Sequence, residues 1–446
     1  MKKFFLAQLL VFFVFGAPLN AFAQAAPSPE PSSGNASITS ADPAIATRAW
    51  LDSVPPDKKA RSDAYFEGGY WLILWNFLLN SAIALLFLAS GYSARLRDFA
   101  ERTTRFKALQ VLLFGIPFIL ISAALSSPLD IYQQFFREHA YGMAAQTFGP
   151  WFREQLISLA VSTVGVGLLL IALYAVFRRA PRTWWLWGTG VVVVFGFLTS
   201  LIFPIYVAPL FNKYNPLTDA TISEAILVLA RANQIPVKQV FEVDASRQTK
   251  RVSANVAGVL GTMRIALNDN LLRQCSLPEI RHVMAHEMGH YVLNHSTKLL
   301  MGLALSALIT AALARAAFDA SVRRWGKRWK ISGISDLAGL PLLTLIFGVL
   351  GFLATPLSNT RIRIAEVEAD AFGLNAAREP DAMAKVSLKL GEYRKLDPSP
   401  LEEFVFFDHP SGRARIRMAM DWKAAHPPAG GAILTPDVVS TAPRTP

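Results

Sequence analysis

Long apolar runs alternate with short basic loops along this protein. Six stretches, at about 70–92, 108–127, 156–177, 184–207, 299–318 and 337–357, carry few charges. At about 1.5 Å per helical residue, each crosses most or all of a hydrocarbon core roughly 30 Å thick. Trp71, Tyr92, Trp184 and Trp185 sit near the ends of such runs, where amphipathic rings favour the interface. Arg315 falls inside the fifth run and is expected to snorkel or to face a polar cavity. A shorter apolar segment, Phe4 to Phe15, follows Lys2 and Lys3 and precedes Ala21-Phe22-Ala23, the pattern of a cleaved secretory signal. The expected layout is a signal over 1–23 and a Pro/Ser/Ala-rich exported linker over 24–69. A four-helix membrane domain follows over 70–207, then a second domain over 208–423 that includes two membrane helices, and a disordered tail over 424–446.

The loops orient the bundle. Arg95, Arg97, Arg102, Arg105 and Lys107 lie between the first two runs. Arg178, Arg179 and Arg182 lie between the third and fourth, and Arg323, Arg324, Lys327, Arg328 and Lys330 between the fifth and sixth. The stretch 128–153 has only Arg137 and Arg153. The bias of cytoplasmic loops toward Lys and Arg puts the three basic loops inside. A cleaved signal gives the same parity. Residues 208–298 and the C-terminal segment are therefore expected outside the cytoplasm, on a multi-pass protein of a bacterial-type inner membrane.

Composition agrees with a lipid-bilayer protein. Of 446 residues, 52% are hydrophobic and 17% charged. The net charge of +12 raises nucleic acid as a partner. The basic residues sit in loops beside apolar runs, and no nucleic-acid-binding signature is visible, so that partner is rejected. Cys275 stands alone, which excludes an internal disulfide and a thiolate metal cluster.

The chemistry is concentrated in His286-Glu287-Met288-Gly289-His290. On a helix, histidines at i and i+4 point from one face toward one ion. The intervening glutamate can act as base on an activated water, the arrangement used for zinc hydrolysis. The pentad falls within a helix expected over 278–295, capped by Ser276 with Glu279 three residues on. A helix over 219–232 and short strands at 237–243 and 261–267 precede it. Two histidines need a third protein ligand. His295 misses one zincin register by a residue. Glu366, on a helix expected over 361–378, is the best candidate, with Asp370 one turn further on the same face. A solvated helix carboxylate is the competing reading of Glu366, and Glu368 points to another face. Asp370 would orient His286 or His290, or handle a proton.

Together these features resemble the integral-membrane zinc metallopeptidases typified by CAAX prenyl protease 1, over roughly residues 65–419. The resemblance is carried by Ser127-Pro128-Leu129-Asp130-Ile131-Tyr132, Glu138, Gly142 and Gln146-Thr147, and by Pro209-Leu210-Phe211-Asn212. It continues through Asn255, Gly258 and Arg264-Ile265-Ala266-Leu267 to the zinc pentad, then Arg363, Glu366, Ala369 and Asp370, and His409-Pro410 with Arg415-Ile416. It implies a mainly α, polytopic helical membrane protein with a gluzincin-type zincin catalytic domain containing a small β-sheet. His286, His290 and Glu366 would ligate one Zn²⁺ per molecule, Glu287 would be the general base and Asp370 a proton donor. His409 and Arg415 would stabilise an oxyanion or bind a substrate carboxylate; a packing hydrogen bond and a surface arginine are the alternatives. Asn255 would lie on an edge strand pairing with an extended polypeptide substrate, or be a plain turn residue. The membrane helices would enclose a chamber. Two positions depart from the family pattern: Ile362 replaces a serine and Val256 an alanine.

The expected function is zinc endopeptidase action on membrane-associated or exported proteins. The orientation argues against CAAX processing, because a prenylated C-terminus faces the cytosol. A catalytically idle chaperone is disfavoured by the intact Glu287, and a transporter by the lack of repeated halves.

Overall fold

The computed structural model describes residues 42–257 and 263–427. The expected signal, the first part of the expected linker and most of the expected tail, from 428 on, lie outside those residues. Much of the expected linker is helical: α1 spans Pro43–Asp52 and α2 spans Pro56–Ala89. Pro43 and Pro56 stand at the starts of these helices, where the missing N–H costs nothing. Ala46 of α1 packs with Ile416, Ala419 and Met420 near the C-terminus.

The first span therefore starts at Pro56 rather than near residue 70. After it come α3 (Tyr92–Thr103) and α4 (Lys107–Ile131), which runs on through a π-helical turn to Ala140. The third and fourth spans are α5 (Phe148–Arg179) and α6 (Trp184–Ile202). Then follow β1 (Tyr214–Pro216), α7 (Ala220–Ala232), β2 (Val240–Val243), β3 (Ala254–Ala257), β4 (Arg264–Asn268) and α8 (Asp269–Gln274). The last part holds α9 (Leu277–Val292), α10 (His295–Trp329), α11 (Leu340–Ala377), α12 (Pro380–Leu390), α13 (Pro400–Phe406) and α14 (Gly412–Ala425). Among the described residues, six helices are long and apolar enough to span a membrane.

Two further helix boundaries differ from the sequence reading. The helix with the pentad stops at Val292, because Asn294 adopts a left-handed conformation at φ 54° and His295 opens α10. The sixth span and the helix expected over 361–378 are one continuous helix, α11, with Pro356 inside it. A proline within a membrane helix is tolerated when neighbouring groups satisfy the freed carbonyl.

The sheet order is β1-β2-β4-β3. β2 and β4 are parallel, and the two outer strands are antiparallel to their neighbours. β1 was not foreseen; its Pro216 is compatible with an edge position. β3 forms the opposite edge and packs against α9.

Helix parity puts the three basic loops at one end of the bundle and the sheet and α9 at the other. Contacts at the basic end agree. Arg97 of α3 pairs with Asp336 at 2.9 Å and donates to the Lys330 carbonyl at 2.9 Å, tying the first basic loop to the last. Phe114, Tyr174, Phe318 and Leu342 form a buried core there. A second core, with Ile226, Ile265, Leu267, Met284 and Met288, joins the sheet to α9. A cavity of about 750 Å³ lies between the helices. Arg315 does not line it; its half-exposed side chain lies 3.9 Å from Asp319.

Candidate active site

Two helices carry a group of side chains that could hold a metal ion. α9 begins at Ser276, whose N–H and Oγ reach Glu279 Oε2 at 2.6 and 2.7 Å, the carboxylate arm of a capping box. From that start, three turns bring His286 and His290 onto one face. α11 crosses α9 closely and presents Glu366 and Asp370 one turn apart, both buried. Small residues make the crossing possible. A methyl at Gly373 would stand 3.2 Å from the His286 backbone nitrogen, and one at Gly289 would stand 3.0 Å from the Phe372 ring.

Three donor atoms meet where the helices cross. His286 Nε2 and His290 Nε2 are 3.2 Å apart, and each lies 3.4 Å from a Glu366 oxygen. Ligands about 2.0–2.1 Å from a tetrahedral ion stand roughly 3.3 Å from one another. Two imidazoles and one carboxylate at this spacing fit zinc in both geometry and ligand chemistry. Among the described residues they are the one His/Cys/Asp/Glu group so gathered.

A second layer holds those ligands. Asp370 Oδ1 accepts from His286 Nδ1 at 2.8 Å, leaving Nε2 toward the centre. Behind His290, its Nδ1 lies 2.9 Å from His295 Nδ1, and His295 Nε2 lies 2.8 Å from Glu368. Lys298 ends this relay at 3.0 Å from Glu368. Arg415 is buried, not a surface arginine: it pairs with Glu366 at 3.0 Å and Asp370 at 2.8 Å. His409 Nε2 lies 3.4 Å from Glu366 Oε2, while Asp408 accepts from its Nδ1 at 2.7 Å.

The electrostatics follow from that layout. Burial lowers the His286 pKa, but Asp370 and Glu366 more than reverse this and push it up to about 10. Burial pushes His290 down to about 4, only partly offset by Glu366. Burial lowers the Arg415 pKa too, and Asp370 and Glu366 again outweigh it, so the guanidinium stays charged. A metal entering here has to displace a proton from His286.

Beside the donors is a cleft of about 80 Å³, bounded by Glu287 and His286 on one side and by His409 and Arg415 on another. Ser253 and Ala254, at the start of β3, form a third wall. Asn255 is on that edge strand, opposite Ala266 of β4, and not in a turn. Its Oδ1 is buried without a hydrogen-bond partner among the described residues.

The structure thus gathers His286, Glu287, Glu366, Asp370, His409 and Arg415 around one cleft, with His290 beside His286 and Glu366, and puts Asn255 next to Ala254 of the cleft wall. Sequence reasoning passed over His295, which it judged only as a ligand in the wrong register. The left-handed turn at Asn294 brings that ring back onto His290. Glu368 does face away from the metal donors, as expected, and reaches the site only through His295.

Comparisons with known proteins agree in architecture. Residues 45–213 match a family model described as CAAX prenyl protease N-terminal, five membrane helices. Four of the long apolar helices lie within that stretch. Residues 216–423 match the model of peptidase family M48. An uncharacterized metalloprotease, YhfN, of Bacillus subtilis is 31% identical over 384 residues, covering 85% of this protein and 88% of its own length. A CAAX prenyl protease 1 homolog of Dictyostelium discoideum is 29% identical over 262 residues, covering 57% and 60%. The crystal structure of S. mikatae Ste24p superposes with a TM-score of 0.70 at 20% identity, covering 85% of this protein and 94% of that one, a likeness of fold.

Proposed function

Because the protein belongs to peptidase family M48 and is a multi-pass membrane metalloprotease, we propose that it is a zinc endopeptidase of membrane-associated or exported proteins. The observation that carries the site assignment is the mutual spacing of His286, His290 and Glu366. A bound zinc ion supplies Lewis acidity toward a scissile carbonyl and the attacking water.

The protein's own groups do the rest. Glu287, next to His286 on the cleft wall, takes a proton from the water and returns it to the leaving amine. Asp370 fixes the tautomer and direction of the His286 ring, a positioning role that its 2.8 Å contact favours over proton donation. Arg415 neutralises Glu366 and Asp370 and keeps both carboxylates aimed. His409 lines the cleft and, because Asp408 accepts from its Nδ1, would donate from Nε2 to charge developing on the carbonyl oxygen only as the imidazolium. The β3 edge, with Asn255, pairs with the extended substrate backbone.

The cleft lies at the bundle end opposite the three basic loops, which supports a periplasmic or exterior site. The names of relatives such as the Dictyostelium discoideum protein make prenylated substrates the competing reading, and that reading requires a cytosolic site. The experiment is a proteomic comparison of membranes with the wild type or Glu287→Gln. Exported or envelope proteins should accumulate uncleaved in the variant. Accumulation of cytosolic lipidated proteins alone would contradict the proposal.

A further inference from the structure

The metal cleft reaches one helical turn past the donors, and its wall there holds a histidine that the peptidase chemistry does not use. His282 precedes His286 by four residues on α9, about 6 Å along the axis. It lines the same cleft as His286, Glu287 and Glu366. The residue is 4% exposed, and its Cε1 packs beside Gly373 of α11, where a methyl would stand 3.5 Å away. Among the described residues, neither ring nitrogen has a hydrogen-bond partner. Nδ1 is fully buried, whereas Nε2 is not and has the cleft as its open side. Leaving a buried polar group unpaired is costly, and such a group marks a place where a partner arrives.

The protonation of the ring decides what it can bind. Burial, only partly opposed by Asp370, pushes the His282 pKa down to about 3, so the imidazole is neutral and carries one proton. An orphaned buried N–H is rarer than an orphaned acceptor, so the sealed Nδ1 is the lone pair and Nε2 presents the N–H to the cleft. α12, which packs against α9, adds the complement. Its Ser387 is buried and lines the same cleft, and the hydroxyl donates to the Met383 carbonyl at 2.8 Å, leaving its lone pairs as acceptors. Leu271, Val283, Met383 and Val386 also line the cleft. One neutral donor and one neutral acceptor amid apolar surface fit a carboxamide, whose oxygen accepts from Nε2 and whose NH2 donates to Ser387 Oγ. A carboxylate has no proton for Ser387, and an aliphatic side chain leaves both groups unpaired.

We propose that His282 and Ser387 bind the side-chain carboxamide of a substrate glutamine or asparagine next to the scissile bond, making cleavage selective for that residue. The inference rests on the peptidase reading and adds the substrate class. Consecutive Cα atoms are about 3.8 Å apart, so a residue flanking the bond at the metal reaches one turn along α9 with its side chain. The cleft volume of about 80 Å³ holds a side chain of a few heavy atoms. Neither residue belongs to the metal donor set, so both act on substrate choice rather than on the ion.

The test uses the full-length protein in phosphatidylcholine nanodiscs with quenched fluorescent peptides of one parent sequence. Gln, Asn, Met, Leu or Glu is placed at each position in turn, and mass spectrometry locates the cleaved bond. The wild type should show kcat/KM at least tenfold higher for Gln or Asn than for Met, Leu or Glu at one position flanking that bond, because a site built to hydrogen-bond rejects analogues that leave it unpaired. In His282→Phe, which keeps the ring's bulk and loses its nitrogens, the ratio should fall below twofold with zinc content as in the wild type. His282→Gln, which restores a neutral N–H, should bring the ratio back above twofold. Ser387→Ala should lower the ratio as well, and is the variant to use if Phe at 282 prevents folding. No amide preference in the wild type, a stronger preference for Glu than for Gln, or an unchanged ratio in either folded variant overturns the proposal. Zinc lost from both variants would make the pair supports of the metal site and overturn it too. If the wild type cleaves no peptide, the peptidase reading fails first. Binding of the labelled Gln and Met peptides then decides: a tenfold difference lost in His282→Phe supports the pocket, and equal affinities in the wild type overturn it.

Discussion

Gly373→Ala tests whether the metal site is made by the close crossing of α9 and α11. A methyl carbon there would stand 3.2 Å from the His286 nitrogen and 3.3 Å from its Cα. Ordinary contact is roughly 3.5–4.0 Å, and backbone, unlike a side-chain tip, cannot rotate away. The helices must part by a few tenths of an ångström. Overpacking of this kind costs about 1–3 kcal/mol, offset by up to about 1 kcal/mol from replacing glycine with alanine in a helix. Global stability should thus fall by no more than about 2 kcal/mol. The metal is less forgiving, because ligand distances are held within about 0.2 Å and its donors come from both helices. Zinc affinity should fall at least tenfold, about 1.4 kcal/mol. Competition with a chromophoric chelator measures it, with Gly190→Ala on α6 as control, since nothing lies within 4 Å of that position. Gly289→Ala should do less, because it meets the Phe372 side chain. Wild-type affinity in Gly373→Ala would mean that the helix crossing does not set the metal geometry.

Other consequences follow from the same geometry. His286 is held protonated up to about pH 10 in the metal-free protein, so zinc must displace one proton; the zinc association constant should rise about tenfold per pH unit between pH 7 and 9, and a pH-independent constant would contradict this. His295→Ala removes the partner of His290 and should weaken zinc by about 10- to 100-fold, as loss of a ligand's outer partner typically does. Glu366→Ala should abolish stoichiometric zinc, while Glu368→Ala, acting only through His295 from an exposed position, should cost less than His295→Ala; metal analysis of the purified variants ranks them. For sidedness, single cysteines in a Cys275→Ser background at exposed Thr218 and Ala425 should react with a membrane-impermeant thiol reagent on intact spheroplasts, and one at exposed Thr103 should not; the reverse pattern would put the site in the cytoplasm.

The parts legible in the sequence were those set by local pattern. Six apolar runs became six long helices because length and hydropathy alone decide whether a segment can span a bilayer. The i, i+4 histidines of α9 and the one-turn spacing of Glu366 and Asp370 fixed their faces before any contact was known. Tertiary packing hid the rest. α1 is too short to be stable alone and forms against α14, which no local signal announces. The sixth span and the helix over 361–378 read as two elements because the apolar pattern ends near 357, yet the backbone continues as one helix through Pro356. His295 was missed because its role depends on one left-handed residue, Asn294, and a surface arginine stayed open as the alternative for Arg415 because both carboxylates it pairs with lie about fifty residues away.

A joint measurement of bound zinc and peptide cleavage in Glu287→Gln separates the base from the ligands. Glu287 is on the cleft wall but outside the donor set, so the two readouts should diverge. About one zinc per molecule is expected, as in the wild type, with cleavage reduced at least a hundredfold, the lower range for loss of a general base. Retained cleavage would contradict the assignment of Glu287 as base. Loss of zinc along with activity would contradict the His286, His290 and Glu366 donor set.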